Sequence, residues 1–372
     1  MIGYELEVDL AVTDEDGDYI EGDTHLALST TVPSFTLVTD ARLLNDDNLY
    51  SNIEFVTDPV SVIGTRHATG PAIVLAQLDA VRAARDALYF AGEGPLADAD
   101  ETLTTVGAGD TALLNPNLGY DETFTLLAHY SVGVPLAGMP HFFDRLRDAA
   151  PIPDYDDVSP VLVRARFSLF QAESFADCEI RLFLETPGAP AAGSAETRAL
   201  CGYLQLAYMQ ICALADNLDV QGEGAQIKNL TAVLCRSAFI DVFPLLCAEA
   251  RAYLRSRCEG DAPIITNLAD HQEVPQPGGE EWTFHEDGVR QSGTLEAITL
   301  GAFALSVFNG EPRVEPQRVF GGMREIAPHE EEGAAVVPFE IRTIGAQEKD
   351  WAEVRADLEA LCTWCEEAYR RA

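Results

Sequence analysis

The stretch Gly3-Tyr4-Glu5-Leu6-Glu7-Val8-Asp9-Leu10 alternates strictly between apolar and acidic side chains. An extended strand turns that period of two into two faces, and a helix does not. Tyr4, Leu6, Val8 and Leu10 take one face, and Glu5, Glu7 and Asp9 take the other. The unbroken apolar back predicts a strand packed in a sheet rather than a solvated edge. Its acidic front then needs a reason, because neighbouring carboxylates at ~4 Å repel by about 1 kcal/mol in water and about 4 kcal/mol at an effective dielectric near 20. A cation between them removes the repulsion, and hard oxygen ligands suit Mg²⁺. The plainer explanation is a half-exposed strand in a very acidic protein.

Acid is indeed the default surface here. The 61 Asp and Glu outnumber the 24 Lys and Arg, for a formal charge of −37, and only Lys228 and Lys349 are lysines. With no basic block, a phosphate-backbone partner is disfavoured and nucleic-acid binding drops out of the leading classes. The pattern fits a salt-adapted or high-GC host and bears on solubility rather than chemistry. At 372 residues and 47% hydrophobic content the chain can bury a substantial core. No apolar run approaches the ~20 residues that span a bilayer, and Met1 leads straight into the acidic strand, so the expectation is a cytoplasmic protein without a membrane partner. The eight cysteines sit mostly in apolar helical surroundings, unlike a secreted disulfide framework.

Two further strands are expected early, Phe35 to Asp40 and Asn52 to Thr57, the second placing Glu54 between Ile53 and Phe55. Asp14 to Asp18 lacks the distal ligands of a calcium loop and reads as a plain turn. Pro71 to Phe90 has helical spacing of its apolar residues, as do Thr197 to Leu218 and Lys349 to Arg371. Residues 91–122 show no clear period and read as an excursion or lid. Val161 to Phe170 and Cys178 to Glu185 read as a pair of strands, and Ala297 to Phe308 as another. A helix is expected from Lys228-Asn229 to about Cys258, with Arg236 in its first turns. Val336 to Gly345 restores strict alternation, with Glu340 and Arg342 on one face.

Several chemistries are excluded by what is missing. Ile227 and Glu348 precede the lysines, so neither belongs to a Walker A loop, and there is no Gly-x-Ser-x-Gly elbow or His-Glu-x-x-His. The seven histidines, His129 among them, lack metal-ligand spacing. Cys362-Thr-Trp-Cys365 lies late in an amphipathic helix with no second such pair and reads as core packing. What remains is a constellation: Glu5, Glu7 and next in line Asp9, then Glu54, then Glu340 with Arg342. Each lies on an alternating strand, so one sheet can gather them from opposite ends of the chain. Such a group suits Mg-ATP, with carboxylates on the metal and arginine on the transferred phosphoryl group.

These pieces resemble a known group. Gly3-Tyr-Glu-Leu-Glu7, Asp40, Asn52-Ile-Glu-Phe-Val-Thr-Asp-Pro59 and Phe339-Glu-Ile-Arg342, followed by Gly345 and a Trp-containing helix, are similar to the carboxylate-amine ligases of the glutamine synthetase and glutamate-cysteine ligase superfamily, nearest its amidoligase branch. The resemblance covers about a quarter of the chain, at its two ends. It implies an α+β fold in which an antiparallel sheet forms an active-site trough packed with helices, ATP and Mg²⁺ as cofactors, and an acyl phosphate captured by an amine as an amide. By the same resemblance Glu5, Glu7, Glu54 and Glu340 are metal ligands, Arg342 and Arg236 act in catalysis, and Lys228, Arg324 and Arg342 contact the nucleotide. The expected layout is a single catalytic domain over residues 1–372. Its sheet is drawn from about 1–60 and 336–346, residues 91–160 and 259–335 are insertions or lid segments, and 349–371 is a closing helix. The expected substrate is a small molecule or peptide carrying a carboxylate and an amine, and an apolar sheet edge is compatible with a homo-oligomer. Two alternatives stay open: an inactive binding or assembly module of the same fold, and a metal-dependent hydrolase or phosphatase.

Overall fold

The period-two segments at the start of the chain become strands β1 (Ile2–Thr13), β2 (His25–Ser29), β3 (Phe35–Asn45) and β4 (Asn48–Thr57). This is a computed structural model, and it describes residues 1–30, 34–45, 48–115, 126–149, 160–219, 233–259, 282–286, 289–293, 305, 307–310, 326–342 and 348–372. Helix α1 (Gly70–Ala91) has Pro in its first turn, where no intrahelical N–H is lost, and buries Val74, Leu78, Val81 and Leu88 along one face. Short strands β5 (Gly94–Pro95), β6 (Leu103–Thr105) and β7 (Leu113–Leu114) lead to β8 (Leu126–Pro135). Then come helices α2 (Met139–Ala149), α3 (Pro160–Leu184) and α4 (Ala195–Asp219), strand β9 (Val233–Cys235), and helices α5 (Phe239–Val242) and α6 (Ala248–Glu259). Strands β10 (Trp282–Glu286) and β11 (Val289–Gly293) form a separate antiparallel pair. Strands β12 (His329–Glu331), β13 (Ala334–Ile341) and β14 (Glu348–Lys349) precede the last helix, α7 (Trp351–Arg371). Among the described residues no helix is long and apolar enough to cross a membrane.

Two compact units share these elements: residues 1–131 with 346–363, and residues 132–345 with 364–372. The first unit is a sheet in the order β8-β1-β4-β3-β2-β6, with β14 paired to β8 and β7 to the far end of β1. Antiparallel pairing sets Leu6 opposite Phe55, Val8 opposite Ile53, and Leu37 opposite Phe55, which gathers the apolar side chains on one face. Helix α1 covers that face. The Tyr4 hydroxyl donates to the Val74 carbonyl at 3.4 Å, and Gln77 Nε2 donates to the carbonyls of Ser34 and Asp58 at 2.7 and 3.0 Å. The first part of α7 joins the layer. Tyr130 on β8 donates to Asp357 at 2.8 Å, and Lys349 pairs with the same carboxylate at 2.8 Å. Burial raises the pKa of Asp357, its contact with Lys349 opposing the shift.

The second unit packs α2, α3, α4 and α6 with a short antiparallel sheet, β12-β13-β9. Phe339 of β13 lies between Phe142 and Phe143 of α2, with ring centroids 5.4 and 5.5 Å away, and Trp364 meets Phe142 edge-on.

Four expected elements differ. Residues 161–170 and 178–184 are not strands but parts of the one helix α3, and Glu185 lies in the turn after it. Its buried positions Leu169, Ala172, Ala176, Glu179 and Phe183 step by three and four, while Phe170 and Leu182 point outward and obscure that stripe. Arg236 is not in a helix: it directly follows β9, a fully buried Val-Leu-Cys run, and its N–H extends the pairing to the Pro338 carbonyl at 3.0 Å. In the segment 297–308, Leu305, Val307 and Phe308 are helical rather than extended, and the rest lies outside the described residues. Strand β8 arises from within 91–160, where the sequence pattern assigns no strand.

Candidate functional site

The register of β1 against β4 sets Glu7 directly opposite Glu54, so both carboxylates leave the sheet on the face away from α1, with Glu5 two residues along. Glu54 is only 7% exposed, while Glu5 and Glu7 are half-buried. Beyond β4, Asp40 lies on β3, two residues after the Val38 that opposes Glu54. The turn at Asp23 is held to β3 by an N–H donated to the Thr39 carbonyl at 2.6 Å. Across β1, strand β8 alternates buried Leu126, Ala128 and Tyr130 with half-buried Leu127 and His129. His129 Nδ1 comes within 3.8 Å of Glu7 Oε1.

Glu54 is therefore a buried acid among acids. Its pKa is pushed well above the ordinary carboxylate value, first by burial and then by Glu5, Asp40, Glu7 and Asp23. An apolar residue would suit a position this buried, and a carboxylate belongs there only with a proton or a cation. One ligand atom each from Glu5, Glu54 and His129 lie within 4.8 Å of one another. Two carboxylate oxygens and an imidazole nitrogen form a donor set that fits a divalent ion of the Mg²⁺ and Mn²⁺ kind. Asp9 lies on β1, and its side chain is outside the described residues.

The second unit has a different cluster. Glu340 on β13 is 1% exposed, and its register opposite Leu234 of β9 brings it close to Arg236. One carboxylate oxygen accepts from Arg236 Nη1 at 2.6 Å and the other from Arg342 Nη1 at 2.5 Å. Two guanidiniums thus share one carboxylate in a nearly closed setting. Among the described residues Arg342 Nε is buried with no hydrogen-bond partner, and an unmet donor there is suited to an anion.

The structure thus brings Glu5, Glu7 and Glu54 together in one unit, and Glu340, Arg236 and Arg342 together in the other. Lys228 and Arg324 lie outside the described residues. Sequence reasoning missed His129 and Asp23 and gave Asp40 no role. The signal for His129 was available in the alternation of Leu126, Ala128, Tyr130 and Val132 around it. Asp23 lies in a turn and left none. Cys362 and Cys365 are buried thiols on α7 that form no disulfide, and burial pushes the Cys362 pKa up to about 12, in keeping with core packing.

No family model matches the sequence, and no curated protein matches it either. Among solved structures, the chain is similar to a VgrG Vibrio cholerae toxin ACD domain, a glutamate-to-glutamine mutant in complex with ADP and Mn²⁺. The TM-score is 0.51 at 14% identity, covering 92% of this chain and 93% of that one. A structure of a Vibrio cholerae toxin from the MARTX/VgrG family matches over the same shares at 14% identity and a TM-score of 0.49. At that identity the likeness to the ACD domain is one of fold, α+β with an antiparallel sheet.

Proposed function

We propose that this chain is an ATP- and divalent-metal-dependent ligase that joins a substrate carboxylate to an amine as an amide. The observation that carries the reading is Glu54, buried in a row of acids with an imidazole at one end, an arrangement that a divalent cation stabilises. The solved structure of similar fold holds ADP and Mn²⁺, a nucleotide and an ion of the kind such a row accepts, which supports the reading.

In this scheme Glu5, Glu54 and His129 would hold the ion, with Glu7 opposite Glu54 as a further carboxylate. The ion, Mg²⁺ or Mn²⁺, supplies charge neutralisation for phosphate oxygens. Taken by itself, the second unit offers Arg342 and Arg236 as an anion-binding pair, with Glu340 fixing both guanidiniums in orientation. Metal binding by Glu340 itself would require one of the guanidiniums to turn away. Lys228 and Arg324 stand as further nucleotide contacts. The reaction balances as follows. A substrate carboxylate oxygen takes the γ-phosphoryl group and ADP leaves; an amine nitrogen then attacks the acyl carbon. The bond from that carbon to the phosphate oxygen breaks, and the ammonium proton passes to solvent or to a carboxylate. The substrate is a small molecule, peptide or protein carrying these two groups.

Ligands that bind only the native state raise its melting temperature by mass action. Millimolar Mn-ATP or Mg-ATP should raise the Tm of this chain, and Glu54→Gln should abolish the shift. ADP and phosphate release that requires both a carboxylate and an amine would mark the ligase, whereas phosphate release without an amine would point to hydrolysis. A Tm that ignores both metal and nucleotide would remove the foundation of the reading.

A further inference from the structure

The candidate metal site draws carboxylates from β1 and β4 and an imidazole from β8, and the imidazole is the donor that a site built for Mg²⁺ does not need. Strands β8 and β4 flank β1 in the sheet, so about 9.4–9.8 Å separates the backbones that carry His129 and Glu54. Their ligand atoms, with that of Glu5, nevertheless lie within 4.8 Å of one another. Two ligands on opposite sides of one ion, bound at about 2.1–2.6 Å, stand about 4.2–5.2 Å apart. The three side chains therefore converge on a volume the size of one ion, where like charges left to water would spread. Glu54 points to a ligand independently. It is 7% exposed, and among the described residues no hydrogen bond or ion pair holds its carboxylate.

The residue at position 129 is under a charge constraint. A further carboxylate there would add to the repulsion that Glu5, Asp40, Glu7 and Asp23 already exert on Glu54. A neutral donor adds a ligand without that cost, and an amide or hydroxyl oxygen would meet the need and suit Mg²⁺, which takes oxygen. The chain has a nitrogen instead. Imidazole is a ligand of the first-row transition ions, whose affinity for mixed nitrogen and oxygen sites climbs from Mn²⁺ onward. Nitrogen in place of a neutral oxygen is therefore a choice of ion.

We propose that His129 is the specificity-determining ligand of this site, through which it selects Mn²⁺ over Mg²⁺. This rests on the metal-binding reading given above and goes beyond it by naming the ion and the residue that chooses it. The test is calorimetric titration of the full chain with Mn²⁺ and with Mg²⁺, without nucleotide, beside pulsed electron paramagnetic resonance of the bound Mn²⁺. The parent should bind Mn²⁺ at least about tenfold more tightly than Mg²⁺. Its Mn²⁺ signal should show modulation from a directly bound nitrogen nucleus, and isotopic labelling of histidine should alter that modulation. Losing even the partner of a metal ligand costs about 10–100-fold in affinity. His129→Gln, which supplies a neutral oxygen, should therefore weaken Mn²⁺ by at least about tenfold, leave Mg²⁺ within about threefold, and abolish the nitrogen modulation. A parental preference for Mn²⁺ in His129→Gln would overturn the proposal, and so would bound Mn²⁺ without nitrogen modulation. If His129→Gln does not keep the metal-free Tm, the labelled spectrum of the parent decides the matter alone. A parent that binds neither ion, or a Glu54→Gln variant that binds both as well as the parent, would remove the metal-binding reading together with this one. Mn²⁺ bound through Glu54 with no nitrogen signal would leave an all-oxygen site and sink only the role of His129.

Discussion

Glu54 shows how much one side chain can carry. Folding raises its pKa, chiefly by burial, so the native chain holds this proton more tightly than the unfolded chain does. Its contribution to stability is therefore best at low pH and declines as pH rises from the ordinary carboxylate value through the raised native one. Melts in chelator should show a higher Tm near about pH 5 than near about pH 8 on account of this group. Glu54→Gln should flatten that slope and raise the Tm at the upper end, and saturating Mn²⁺ should reverse the slope in the parent. Glu340 should behave differently, since its partners are cations. Glu340→Ala leaves Arg236 and Arg342 as buried charges without their shared counterion, at a cost of roughly 3–5 kcal/mol. Urea unfolding followed by fluorescence would measure it, and a change below about 1 kcal/mol would show that water reaches both guanidiniums. Glu54, Glu340 and Arg342 were legible because alternation within a single strand betrays a polar residue that is turned from the apolar face. Arg236 is 104 residues from the carboxylate it meets, and no local pattern reports such a distance.

Elements were readable where large apolar residues mark the inward face and unreadable where they are sparse. In β1 the buried positions are nearly all aliphatic or aromatic, and in α1 Val74, Leu78, Val81 and Leu88 keep the period beside buried Gln77 and Arg85. In α3 the inward stripe includes two alanines and Glu179, whose carboxylate meets Tyr253 at 2.6 Å and Arg257 at 2.9 Å. A helix stabilised by a buried ion pair gives a hydropathy pattern that mimics two short strands. Helix α7, by contrast, announces its start. Asp350 accepts from the N–H groups of Ala352 and Glu353 at 2.8 Å each, and Glu353 accepts from the Asp350 N–H at 2.8 Å. This reciprocal cap satisfies donors that the first turn leaves open. Asp350→Ala should cost about 1 kcal/mol in urea unfolding, and Asp350→Ser should recover most of it.

At the scale of the whole chain, a formal charge of −37 means that the folded state compresses many like charges. Screening shortens their reach from about 10 Å at 0.1 M salt to about 3 Å at 1 M. The Tm should rise between those concentrations of KCl and should not rise with an equal osmolarity of sucrose alone; a flat response would show that self-repulsion does not limit stability. Composition made this property legible, yet it says nothing of connectivity, and there the structure adds something. The first unit closes around contacts such as Tyr130 to Asp357, 227 residues apart. A ribosome that has delivered the sheet strands β1 to β8 must still translate more than half of the polypeptide before α7, which joins α1 over their apolar side, emerges. Until then α1 covers that side alone, and the hydrophobic strip that awaits α7 is one that chaperones would have to shield and that premature termination would leave exposed for good.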